Sequence, residues 1–204
     1  MNPTWMSDTY PPDSRDVLLA ADLCIRAYAA TTHIRGNSEG LLEGSAFAVR
    51  GTTAAFGRII LGDWGMNALA LPWRSSDYPE LGWCHKGFLR GGGWGSYGGA
   101  LGLWAAARWE LHPNALICGH SKGGAEAFII GALLVLVGKP PRALITFGAP
   151  KIAASDDLFR LLRRIPQQHF VHGQDVVPTL PCAPWWLDVP RDKLAGGREH
   201  HLSD

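Results

Sequence analysis

Apolar residues recur along this chain in two periods, and the two alternate. From Asp16 to Ala30 they fall at helical spacing in a stretch rich in Ala and Leu, which predicts a helix. Ser45 to Val49 predicts a strand that ends in Arg50-Gly51-Thr52. Thr53 to Arg74 is interrupted by Gly57, Gly62 and Gly65 and predicts a loop, with at most a short strand at Arg58 to Leu61. Gly91 to Gly99 is Gly-rich but lacks the preceding strand that a phosphate-cradling loop requires. Leu101 to Glu110 predicts a helix, Ala115 to Cys118 a short strand, and Lys122 to Val137 a helix stopped by Gly138-Lys139-Pro140-Pro141. Ala143 to Phe147 predicts a strand before Gly148-Ala149-Pro150. Ser155 to Arg164 predicts a helix with Ser155 as its cap and Asp156-Asp157 as its acidic opening. His169 to Val171 predicts a strand before Gly173-Gln174-Asp175. Strands alternating with helices argue an α/β layer fold with a mostly parallel central sheet, as one domain over residues 1–204. In such a fold, reactive groups gather in the loops at the carboxyl ends of the strands.

One of those junctions carries chemistry. Gly119-His120-Ser121-Lys122-Gly123-Gly124 lies between the strand at Ala115 to Cys118 and the longest apolar helix. A G-x-S-x-G sequence in that setting puts the serine on a tight bend, with glycines where neighbouring backbone crowds it. The N–H groups that open the helix then face any oxyanion formed there. Ser121 is therefore the candidate nucleophile. A second match, Gly36-Asn37-Ser38-Glu39-Gly40, has neither a strand before it nor a long helix after it, and predicts a polar loop.

A serine nucleophile needs a base, and the base needs an acid to orient it. In this fold type the chain order is Ser, acid, His. Asp175 follows the strand at His169 to Val171 and precedes Val176-Val177-Pro178, so it is the candidate acid; an Asx turn before the proline is its plainer role. Asp188 and Asp192 stand behind it. Only His200 and His201 follow Asp175, so one of these two is the candidate base. His169 and His172 precede the acid, and His120 is expected to pack beside the turn. The Asp156-Asp157 pair is expected to be structural.

Composition narrows the class. With 204 residues, 47% hydrophobic and a net charge of +1, the chain is globular and lacks the basic cluster of a nucleic-acid binder. The apolar run Phe128 to Val137 is too short to span a bilayer and predicts a buried helix. Residues 1–15 lack a basic start followed by an apolar stretch, so no signal peptide is visible. Cys24, Cys84, Cys118 and Cys182 have no metal-type spacing; four reduced, mostly buried thiols in a cytoplasmic protein are preferred over two disulfides. Nine Trp are present, most of them expected in the core and the rest lining an apolar pocket.

Several segments, in order and across most of the chain, resemble the class 3 (fungal-type) lipase family of α/β-hydrolases. Ala46 to Thr52, Ala-Phe-Ala-Val-Arg-Gly-Thr, resembles the strand ending in F-R-G-T or F-R-G-S, with Val49 in place of Phe. Cys84-His85-Lys86-Gly87-Phe88-Leu89 is similar to V-H-x-G-F-L, and Gly119 to Gly124 to G-H-S-L-G-G with Lys122 in place of Leu. Thr146 to Lys151 looks like T-F-G-A-P-R, and Asp175 to Pro181 like the acid-bearing D-x-V-P-x-L-P. Glu199-His200-His201-Leu202 matches the bacterial pattern through His200 and the fungal one through His201; His200 is preferred.

The resemblance implies an α/β-hydrolase fold and a serine hydrolase that cleaves lipid or other apolar acyl esters through an acyl-enzyme, with no metal or organic cofactor. It implies an oxyanion hole from Thr52 and the N–H of Lys122, and structural roles for His85 and Arg50. Thr53 to Asp63 matches the place of a lid helix, although a strand or buried loop is preferred there. Lys122 would put a long cation beside the nucleophile, narrowing the pocket or favouring anionic substrates. The expected partners are an ester substrate and, transiently, a lipid surface. An amidase or thioesterase with the same triad, and a non-catalytic hydrolase-like binding protein, are the alternatives.

Overall fold

The computed structural model describes residues 12–29, 38–43, 45–51, 71–90 and 99–188. Helix α1 (Ser14–Ala29) is followed by strands β1 (Ser38–Glu43) and β2 (Ala46–Gly51). Short strands β3 (Pro72–Arg74) and β4 (Trp83–His85) pair with each other and lead into helix α2 (Lys86–Arg90). Helix α3 (Ala100–Ala107) and strand β5 (Leu116–His120) precede the long helix α4 (Lys122–Leu136). Strand β6 (Ala143–Phe147), helix α5 (Asp157–Leu162) and strand β7 (Gln167–Phe170) complete the alternation.

The five-stranded sheet runs β1-β2-β5-β6-β7. Strands β2, β5, β6 and β7 are parallel, and β1 adds antiparallel at the edge. The two faces can be read off the strand period. Ala46, Ala48, Leu116, Cys118, Ala143 and Ile145 point to one face and pack against Ala20, Leu23, Cys24 and Ala27 of α1. Phe47, Val49, Ile117 and Leu144 point to the other and meet α4, α3 and α5. Near-continuous apolar strands are what a parallel sheet covered on both faces requires. Each buried Phe or Leu here contributes about 1.5–3 kcal/mol of transfer free energy. Helix α4 is buried on every side from Lys122 to Leu134, which explains its lack of a polar face. Among the described helices none is long and apolar enough to cross a membrane.

The structure corrects some expectations. Ser38 is not in a polar loop: it opens β1, at the edge of the five-stranded sheet. Ser155 does not cap α5 through its hydroxyl; that oxygen accepts the Trp83 N–H at 3.0 Å and donates to Asp157 at 2.8 Å, tying β4 to the helix start. Helix α3 stops at Ala107, short of Glu110. Of the six described tryptophans only Trp104 and Trp186 are buried, whereas Trp109 is 78% exposed beneath the Arg108 guanidinium. All four cysteines are free thiols, three of them buried and Cys182 exposed.

Two histidines are structural. His169 on β7 is buried, its Nδ1 2.8 Å from the Thr146 hydroxyl and its Nε2 3.2 Å from the Gln167 amide oxygen. His85 stacks on Phe88 and Trp186 at 4.2 and 5.0 Å, and neither ring nitrogen has a hydrogen-bond partner among the described residues. Burial pushes both imidazoles down to about 3 from 6.5. The unfolded chain takes up a proton at each site below its ordinary pKa, while the native chain stays neutral until about pH 3. Their contribution to stability is therefore complete above the unfolded value and is lost as pH falls through the window between the two. For two protons the slope approaches about 2.7 kcal/mol per pH unit. Urea unfolding between neutral pH and about pH 4 should show this loss, and His169→Gln should lower the proton uptake on unfolding by about one. Unfolding with no proton uptake in that range would rule out neutral burial of both rings.

Candidate active site

The carboxyl ends of β2, β5, β6 and β7 share one edge, since Arg50 pairs with His120, His120 with Phe147, and Phe147 with Phe170. Ser121 stands just past this edge, between β5 and α4. Its backbone is at φ 53° and ψ −127°, a left-handed conformation that costs a residue with a Cβ roughly 1–3 kcal/mol. Neighbouring backbone holds it there. The Ser121 N–H donates to the Phe147 carbonyl at 2.8 Å, and the Ser121 carbonyl accepts from Gly124 and Ala125. The surrounding glycines are sterically required. A Cβ on Gly119 would lie 2.3 Å from the Gly123 carbonyl oxygen, and one on Gly124 would lie 2.8 Å from the Ala149 Cβ. The chain thus meets the crowding that the G-x-S-x-G pattern implies. Lys122 is the first residue of α4 and so stands at the positive end of its dipole.

Asp175 lies past the end of β7, half-buried. Its Oδ1 accepts the Val177 N–H at 2.9 Å, so the Asx turn anticipated as its plainer role is present. That bond leaves Oδ2 to face the neighbouring loop. There Gly148, at φ +57°, brings its backbone so close that a Cβ would sit 2.7 Å from Asp175 Oδ2. The Gly148 N–H in turn donates to the Phe170 carbonyl at 2.8 Å. The loops after β6 and β7 therefore lock together with the carboxylate between them.

His120, beside the serine, points to α1. Its Nδ1 is 2.9 Å from the Tyr28 hydroxyl, with the rings edge to face at 5.7 Å. Burial pushes this imidazole down, opposed by the charge of Asp175. Packing beside the turn is thus where the sequence puts it, but the tie to Tyr28 links residues that no local pattern connects. His172 is exposed, and its carbonyl accepts the Asp175 N–H. Asp188 forms a surface ion pair with Lys151 at 3.1 Å, and Asp156 and Asp157 lie near Arg160.

The Lys122 side chain contradicts its expected place in the pocket. It is 1% exposed and turns along α4 to pair with Glu126 at 2.5 Å. It therefore neither narrows a pocket nor greets an anionic substrate. Nothing in the sequence pattern singled out Glu126, although an acid four residues after a lysine is a recognisable helical pair. Thr52, His200, His201, Asp192, the segment Thr53 to Asp63 and residues 91–98 lie outside the described residues. Gly51, the end of β2, is the last described residue before Thr52 and follows Arg50, which pairs with His120 of β5. Among the described residues there is no group of three His, Cys, Asp or Glu that could hold a metal.

The sequence model of the lipase (class 3) family matches residues 47–185. The fold is shared with Lip2 lipase from Yarrowia lipolytica, at a TM-score of 0.54 and 16% identity over 88% of this chain and 78% of that one. Lipase from Rhizopus microsporus var. chinensis gives 0.52 and 17%, over 88% and 75%. A triacylglycerol lipase whose catalytic centre is a serine protease triad gives 0.53 and 18%, over 87% and 78%. At these identities the likeness to solved structures is one of fold. No curated protein matches the sequence.

Proposed function

The chain belongs to the class 3 lipase family and is a serine hydrolase of lipid carboxylic esters, and on that premise we propose that Ser121 is the nucleophile, Asp175 the orienting acid and one of His200 and His201 the base. The observation that carries this reading is the strained Ser121 turn, two strands away from the Asp175 carboxylate on the same sheet edge.

The chemistry follows from these places. The base takes the Ser121 proton as the hydroxyl attacks the ester carbonyl. The tetrahedral oxyanion is held by the backbone N–H of Lys122 and that of Thr52, with the Thr52 hydroxyl as a third donor. The imidazolium protonates the leaving alcohol, and an acyl-enzyme remains. Water, deprotonated by the same base, releases the acid. Asp175 keeps the imidazole in the tautomer whose free nitrogen faces Ser121. The substrate in this reading is an apolar acyl ester, met at least transiently on a lipid surface.

The test is a panel of nitrophenyl esters of rising chain length, matched anilides and emulsified triglyceride, with fluorophosphonate labelling of the same preparation. Ester turnover with labelled Ser121 is expected. Faster anilide cleavage would move the reading to an amidase, and no labelling would leave a hydrolase-like binding protein.

The choice of base is tested separately. Neighbours in an extended segment point to opposite faces, so only one of the two histidines can serve Ser121. His200→Ala and His201→Ala should give one dead enzyme and one nearly normal one, with His200 preferred as the base. Two active variants would refute the triad as drawn.

A further inference from the structure

We propose that the buried Lys122–Glu126 ion pair is a positioning device for the oxyanion site, holding the opening turn of α4 beside the nucleophile. The inference rests on the reading of Ser121 as nucleophile and of the Lys122 N–H as an oxyanion donor.

The geometry is unusual for a helix start. The side chains of Lys122 and Glu126 are 2% and 0% exposed and meet at 2.5 Å across one turn. Between them the turn reads Gly123-Gly124-Ala125. Two glycines make a loose helical turn, because each loses more backbone freedom on folding than any other residue. The turn nevertheless has to be firm. Its Gly124 and Ala125 N–H groups close on the Ser121 carbonyl and so set the nucleophile's strained backbone. Glycine is needed at 124 for close approach to Ala149, so rigidity cannot come from a side chain there. The pair bridging residues 122 and 126 supplies it from either side.

Helix stability does not account for these charges. A cation in the first turn opposes the macrodipole, and Lys preceding Glu by four residues is the weaker order of such a pair. Two buried charges must also offset their own desolvation, which an apolar pair of similar volume would not. What the pair supplies is a fixed bridge across the Gly123-Gly124-Ala125 turn, which holds the Lys122 N–H in one place relative to Ser121.

The test compares the wild type, Glu126→Gln, the double variant Lys122→Met/Glu126→Leu, and Ser121→Ala as a blank. Folding is followed by circular dichroism and thermal melting, and activity by kcat and KM on a nitrophenyl ester. The double variant should fold with an unchanged or higher Tm, lose about 10- to 100-fold in kcat, and keep KM within about twofold. Glu126→Gln, which keeps the shape, should show a smaller loss of kcat in the same direction. A folded double variant or Glu126→Gln with wild-type kcat would overturn the proposal, as would a change confined to KM. If neither variant folds, the pair belongs to the scaffold and the proposal falls. A wild type no faster than Ser121→Ala would instead sink the nucleophile reading on which this rests.

Discussion

Ser121→Ala is expected to lower ester turnover by about 10⁶, with little change in stability. The size follows from the step removed. Without the hydroxyl no acyl-enzyme can form, and what remains is whatever the oxyanion donors achieve with water alone. The fold should survive because the Ser121 backbone, not its side chain, makes the structural bonds: its N–H to the Phe147 carbonyl, and its carbonyl to Gly124 and Ala125. Alanine has the same Cβ as serine and so inherits the same positive-φ cost. Thermal melting and single-turnover hydrolysis of a nitrophenyl ester check both halves of the expectation. Ser38→Ala serves as the control, since Ser38 begins edge strand β1. Wild-type activity in Ser121→Ala combined with its loss in Ser38→Ala would show that the wrong G-x-S-x-G had been chosen.

Asp175→Asn should cost on the order of 10⁴ in turnover while leaving the loop in place. The structure separates the two effects. Asp175 Oδ1 accepts the Val177 N–H, and an asparagine carbonyl oxygen can keep that bond. Oδ2 is the oxygen beside the tight Gly148 turn. An amide N–H₂ there donates where the carboxylate accepted. The imidazole is then offered a donor, adopts the other tautomer, and presents N–H instead of a lone pair to Ser121. The loss should fall on kcat with KM nearly unchanged, and Tm should stay close to that of the wild type. Near-normal turnover would remove Asp175 from the triad. Asp188 is already paired with Lys151 at the surface, so Asp192 would then be the acid to test.

The strand-turn-helix around Ser121 was legible because its signals are local. The apolar run before Gly119, the crowded glycines and the long apolar helix after Ser121 all lie within one short stretch. They describe a strand, a bend and a helix that any chain must form in that order. The place of Asp175 was legible for a similar reason, since a turn residue past a parallel strand arrives at the same sheet edge as one past its neighbour. Strands β2, β5 and β6 alternate between two buried faces, and apolar residues on both parities announce that directly.

The features the sequence did not yield depend on partners far along the chain. Ser38–Glu43 is polar and looks like a loop until Ala46–Gly51 supplies its hydrogen bonds, because an edge strand needs only one paired side. Ser155 has the residue type of a cap, yet its hydroxyl goes to Trp83 of β4, a neighbour that only the packing of β4 beside α5 brings within reach. Tyr28 meets His120 for the same kind of reason. Lys122 shows the limit most clearly. Its charge suggests solvent or substrate, but the turn that starts α4 is buried, and there the ammonium is held by a carboxylate on its own helix. The sequence by itself determined the alternation of strands and helices from β5 to β7, the Ser121 turn and the strand before Asp175, because each is set by periodicity and turn chemistry within a few residues. The direction of a buried side chain depends on which surfaces close over it, and only the tertiary structure decided that.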